Sequence, residues 1–236
     1  NYVDYTDDIY VGYRYFETIP GAAEKVVYPV GSGLSYTTFD VETVSAGVVN
    51  ANCTSSATAA GSADADIDIK AGKLYAKVSV TNTGKAAGKE VVQLYVAKPQ
   101  GKLGKPAKEL VAFEKTRELQ PGESQLMTLT WKINDMASYD DLGKVQKSAY
   151  VLEAGSYDIY VGTNVRDVAK ADYSYILNHD VITEQLSAKL VPTSLPKRML
   201  SDGSYEALPQ GEPVDTDYSA IGTIDPALTE GVGPGQ

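Results

Sequence analysis

LYAKVSVT, residues 74–81, places Leu74, Ala76, Val78 and Val80 on one side of an extended chain and Tyr75, Lys77, Ser79 and Thr81 on the other. A period of two is the mark of a strand with one face in a core and one face open. The turn-forming NTGKAAGKE (82–90) follows, and EVVQLYVA begins the next strand. Downstream, KELVAFEKTREL (108–119) reads as a strand with Leu110, Ala112 and Phe113 facing in. After the turn at Pro121-Gly122, SQLMTLTW (124–131) sets Met127, Leu129 and Trp131 against Leu126, Thr128 and Thr130. INDMASYDDLG is a short helical or irregular piece, SAYVLEAGSYDIYVGTN (148–164) supplies two strands joined through Glu153-Ala154-Gly155, and DYSYILNHDVI closes the set.

Upstream, TTFDVETVSAGVV (37–49) is strand-like, with Phe39, Val41 and Val44 as apolar contacts, and the small polar stretch over 50–71 reads as a mobile loop. About seven short strands with almost no 3.6-residue periodicity predict a mainly β fold, two packed antiparallel sheets over residues 37–185. The flanks, 1–36 and 186–236, are broken by Pro and Gly and too short to own a core, so they are expected as extended arms lying on another folded body.

The charge balance narrows the partners. Lys and Arg total 21 against 31 Asp and Glu, a formal net charge of −10, which would repel nucleic acid or an anionic membrane and leaves neutral ligands such as sugars open. The single cysteine, Cys53, cannot form an intrachain disulfide and fits a reducing compartment. The opening NYVDYTDDIY has no signal-peptide pattern and no initiating Met, so the expectation is a cytoplasmic protein and a piece of something longer.

Catalytic constellations are missing at the level of residue types. His179 is the sole histidine, which rules out the usual zinc ligand sets and leaves a Ser-His-Asp arrangement one candidate base, with no nucleophile-elbow sequence around any serine. Asp64, Asp66 and Asp68 alternate in DADID, yet a calcium loop counted from Asp64 meets Ile69 and Tyr75 where Gly and Glu belong. Gly101-Lys102-Leu103-Gly104-Lys105 is a lysine-bearing turn outside any phosphate-loop pattern. Tyrosine is the outlier, 17 residues against 3 phenylalanines, and Tyr2, Tyr5, Tyr10, Tyr13 and Tyr15 crowd one arm. Its apolar ring and polar tip suit interfaces, with packing on a partner domain preferred over sugar contact.

DDIYVGYRYFET (7–18), followed by VVYPVGSGLSYTTF (26–39), resembles the end of the second domain of glycoside hydrolase family 3 and its passage into a fibronectin type III-like domain. Val30 stands where the common form has Phe. VSVTNTGKAAGKEVVQLYV (78–96), KELVAFEKTREL and LEAGSYDIYVGTN (152–164) are similar to the third domain. The resemblance implies a fibronectin type III-like (immunoglobulin-like) sandwich serving as the accessory part of a β-glucosidase that hydrolyses terminal non-reducing β-D-glucosyl residues with retention and without a cofactor. The catalytic carboxylates, and the β-glucoside substrate, would then belong to an assembly with the rest of the α/β sandwich and a (β/α)8 barrel. The tail LPKRMLSDGSYEALP (195–209) resembles a connector in members with reversed domain order. Tyr5, Tyr10, Tyr13, Tyr15, Phe16, Tyr28 and Tyr36 are the expected interdomain contacts, and Gly31, Gly33, Leu34 and Phe39 the joint. The rivals are a free-standing carbohydrate-binding or structural module, and the accessory part of a β-xylosidase.

Overall fold

The computed structural model describes residues 5–49, 69, 71–187 and 195–209. Twelve strands run in chain order among these residues: β1 (Phe39–Val49), β2 (Lys73–Asn82), β3 (Val91–Ala97), β4 (Glu109–Lys115), β5 (Ser124–Lys132), β6 (Ser138–Asp140), β7 (Ala149–Leu152), β8 (Gly155–Gly162), β9 (Val168–Leu177), β10 (Val181–Gln185), β11 (Lys197–Met199) and β12 (Tyr205–Ala207). Seven of them build the sandwich, β1-β2-β5 in one sheet and β4-β3-β8-β9 in the other, every pair antiparallel. A small sheet β10-β7-β6 and the hairpin β11-β12 complete the set.

The alternation of LYAKVSVT is the alternation of the core. Leu74, Ala76, Val78 and Val80 meet Met127, Leu129 and Trp131 from β5 and face Val92, Leu94, Val96, Ile159 and Val161 across the sandwich. Burying a side chain of this size is worth about 1.5–3 kcal/mol relative to leaving it in water, so this layer dominates the stabilisation of the two sheets.

Two strand readings differ from the structure, and a bulge explains each. Val44 is exposed because the β1–β2 register slips between Thr43 and Ser45; Phe39, Val41, Ala46 and Val48 take the inward places. In β4, Leu94 pairs with Ala112 and Tyr95 with Leu110, which leaves Val111 as the extra residue. Val111 and Ala112 therefore pack on the core while Phe113 points out, 69% exposed. One inserted residue exchanges the faces of everything beyond it.

The loop expected over 50–71 falls almost wholly outside the described residues, as do Asp64, Asp66 and Asp68. Around the C-terminal arm, residues 197–207 form a two-stranded hairpin, closed by Leu200 and Ser204 and by the Leu208 amide on Pro196. Three-residue strands leave no periodic trace in the sequence.

Candidate interdomain surface

β3 is buried along both faces: Val92, Leu94 and Val96 enter the core, and Gln93 and Tyr95 on the other side are equally covered. The cover is residues 10–31. A turn of helix, α1 (Tyr13–Phe16), sets the Tyr13 ring edge-on to Tyr95 at 6.1 Å, and the Tyr13 hydroxyl accepts the Leu110 amide at 2.8 Å. Thr18 Oγ1 accepts the Ala107 amide, and Arg166 donates to Glu17 at 2.9 Å and to the Ala23 carbonyl at 3.0 Å. Burial pushes the Tyr95 phenol up to about 12, so it remains a donor and holds Gln93 Oε1 at 2.6 Å. Gln93 in turn donates to the Thr163 carbonyl.

Gly31 closes this contact. Its φ is 88°, and an added Cβ would stand 2.2 Å from Gln93 Nε2. The Val165 amide fixes the neighbouring Val30 carbonyl at 3.0 Å. Six residues on, the Thr37 hydroxyl donates to Asn82 Oδ1 at 2.6 Å, and Asn82 donates to the carbonyls of Ala86 and Leu119. Residues 32–36 thus form a bridge tied at both ends, and in its middle Leu34 and Tyr36 are 100% exposed. Tyr28 (77%) and Val27 (82%) extend the same open stretch. Behind Tyr28, a groove of about 340 Å³ runs between Tyr13, Phe16, Val26 and Val30, with Glu17 and Lys25 at its rim.

The sequence-chosen residues therefore divide. Tyr10 is buried, hydrogen-bonded to Ser201; Tyr13 is half-buried against this chain's own sandwich, and Tyr15 and Phe16 are half-buried in edge contact with each other at 5.3 Å. Phe39 starts β1 opposite Asn82 and packs on the core. Tyr5, Tyr28, Leu34 and Tyr36 face outward. Gly33 has open space around it and no positive φ.

Charged residues absent from that selection hold the floor. Glu153, almost fully buried, accepts the Lys105 ammonium at 2.5 Å and the backbone amides of Lys102 and Leu103, so the lysine-bearing turn already encloses an anion. Burial draws the Lys105 ammonium below its ordinary range, against the pull of Glu153. Asp140 accepts four backbone amides, from Gly143, Lys144, Val145 and Gln146. Burial works to raise its carboxyl, but those four donors hold it below the usual range. Arg198, on β11, donates to Asp141 at 2.8 Å and Glu206 at 2.7 Å and lies 3.7 Å from Asp8. With the Met199 amide on the Thr6 carbonyl, this ties the C-terminal hairpin to the N-terminal segment. His179 is exposed beyond β9, and no three His, Cys, Asp or Glu side chains converge as metal ligands among the described residues.

Residues 90–165 match the fibronectin type III-like domain. β-Glucosidase A of Butyrivibrio fibrisolvens is 62% identical over 221 residues, which are 94% of this chain and 26% of that protein. The chain belongs to glycoside hydrolase family 3 and matches only part of the length of its relatives. A β-glucosidase structure from Paenibacillus barengoltzii superposes with a TM-score of 0.69 at 41% identity, over 88% of this chain and 22% of that one. The β-glucosidase of Kluyveromyces marxianus is 37% identical over 70% of this chain and 16% of its own length. The chain spans about a quarter or less of the length of these relatives.

Proposed function

We propose that this chain is the accessory, structurally supporting part of a family 3 β-glucosidase, with the carboxylates that cleave terminal β-D-glucosyl bonds outside this chain. The observation that carries the reading is the extent of the match: 94% of this chain corresponds to 26% of β-glucosidase A. In this reading residues 1–36 are the edge of a neighbouring α/β domain, and 186–236 connect toward a barrel, as in the reversed domain order. Tyr5, Tyr28, Leu34 and Tyr36 supply the contact surface as exposed large side chains, and Leu34 and Tyr36 stand on a bridge tied at both ends, which loses little backbone freedom on docking. In the same reading the protein is cytoplasmic, and the lone cysteine fits a reducing compartment.

The test is reconstitution. The purified chain should not hydrolyse an aryl β-glucoside; mixed or coexpressed with the remaining three quarters of such an enzyme, it should copurify and restore turnover. Hydrolysis by the chain alone, or full activity of the remainder without it, overturns the proposal.

A further inference from the structure

The small sheet β10-β7-β6 has its own exposed face. Tyr139 and Tyr150 are direct cross-strand partners in β6 and β7, with ring centroids 5.4 Å apart and planes inclined by 55°. Tyr150 also stands opposite Glu184 on β10. Paired residues share a face, so Tyr139, Tyr150 and Glu184 form one row across three strands. All three are exposed, the tyrosines by 43% and 38%. The other aromatic pairs among the described residues, Tyr13–Tyr95, Tyr15–Phe16 and Tyr157–Tyr175, are buried or half-buried.

The row is held rigid from below. Asp140 follows Tyr139 and is locked by four backbone amides; Ala149 and Val151 flank Tyr150 and are fully buried. A fixed, inclined pair of aromatic rings beside a carboxylate suits successive pyranose rings of a twisted neutral glycan. The C–H faces of the sugars lie on the tyrosines, and vicinal hydroxyls donate to Glu184. The charge agrees: a surface of tyrosine and glutamate on a chain of net charge −10 repels polyanions and admits an uncharged chain.

We infer that Tyr139, Tyr150 and Glu184 form a binding site for a β-linked glucose oligosaccharide, remote from hydrolysis. The glucose identity rests on the β-glucosidase reading above; the site rests on the tyrosine row. Its role would be to keep an oligomeric substrate near the enzyme.

Calorimetric titration of the whole chain with cellotetraose should show saturable binding. Tyr150→Ala and Tyr139→Ala should each weaken it about tenfold or more, a loss that corresponds to about 1.4 kcal/mol. Tyr150→Phe keeps the stacking face and should retain most of the affinity, with circular dichroism verifying the fold of each variant. Absence of saturable binding, or unchanged affinity in both alanine variants, overturns the site. Tyrosine-dependent binding of xylotetraose without cellotetraose overturns the glucose assignment while leaving the site in place. Disappearance of cellotetraose binding on assembly with the remaining polypeptide would make the face a domain contact and sink the proposal. Because binding is read without turnover, a failure of reconstituted hydrolysis leaves this result independent.

Discussion

Tyr13 and Tyr36 belong to one tyrosine-rich segment and have opposite surroundings. Tyr13 lies edge-on to Tyr95 with its hydroxyl on a backbone amide, and Tyr36 has its whole side chain in solvent. Residue type does not separate them, since both offer the same ring and the same hydroxyl. What separates them is the partner: the segment around Tyr13 meets the outer face of β3 and β4, whereas the bridge around Tyr36 is tied to the described residues at its two ends, Gly31 and Thr37. The inner half is thus part of this sandwich, and the outer half is left for something else.

The comparison breaks most completely if the floor beneath the inner half is removed. Thr18 accepts an amide of the 98–108 loop and Tyr13 one at the start of β4, and Glu153 holds that loop from inside. Replacing Glu153 with Ala strands the Lys105 ammonium in a site where it is 2% exposed. Losing one partner of a buried pair costs about 3–5 kcal/mol, so Glu153→Ala should lower the urea midpoint sharply. It should also open residues 5–25 to protease before the strands are cut. A midpoint within error of the parent would mean that the loop is held by its backbone alone.

A finer cut sharpens the same contrast. Tyr13→Phe keeps the ring against Tyr95 and removes only the acceptor of the Leu110 amide. The expected loss is about 1 kcal/mol, typical of a net hydrogen bond, and the matching Tyr36→Phe should change nothing measurable in the chain alone. Equal effects at the two positions would show that Tyr36 has a partner within this chain.

The strands were legible in the sequence because a two-residue period survives translation into a half-buried sheet, as LYAKVSVT and SQLMTLTW show. Bulges at Val44 and Val111 were not, because an inserted residue leaves the composition unchanged while exchanging the faces. One signal was present and unused: VVQLYV is apolar on nearly every position but Gln93, the pattern of a strand covered on both sides. It implied a lid over β3, and the preceding tyrosine-rich segment was the nearest candidate. Arg198 and Glu153 left no such trace. Arg198 reaches Asp141 and Glu153 reaches Lys105 across long stretches of chain, and spacing cannot report partners that only the fold brings together. Asp140 instead accepts amides from the turn that directly follows it, a local signal that the sequence reading passed over.

The smallest effect on the isolated chain should be the most informative about the assembly. Leu34 and Tyr36 touch water, so Leu34→Ala with Tyr36→Ala should move its stability by no more than about 0.5 kcal/mol. Such neutrality is expected of any surface residue and by itself proves little. The discriminating measurement is association with the remaining polypeptide. An interface concentrates its energy in a few large apolar or aromatic anchors, and each anchor truncated to alanine should raise the dissociation constant about tenfold or more. The anchors at Gly31 and Thr37 make this specific to the bridge, because they fix where Leu34 and Tyr36 stand before any partner arrives. Unchanged association in the double variant would assign docking to Tyr5 and Tyr28 and leave the bridge a spacer. Weakened association at unchanged stability would show that one segment serves two bodies, sealing this sandwich with its inner half and meeting its partner with its outer half.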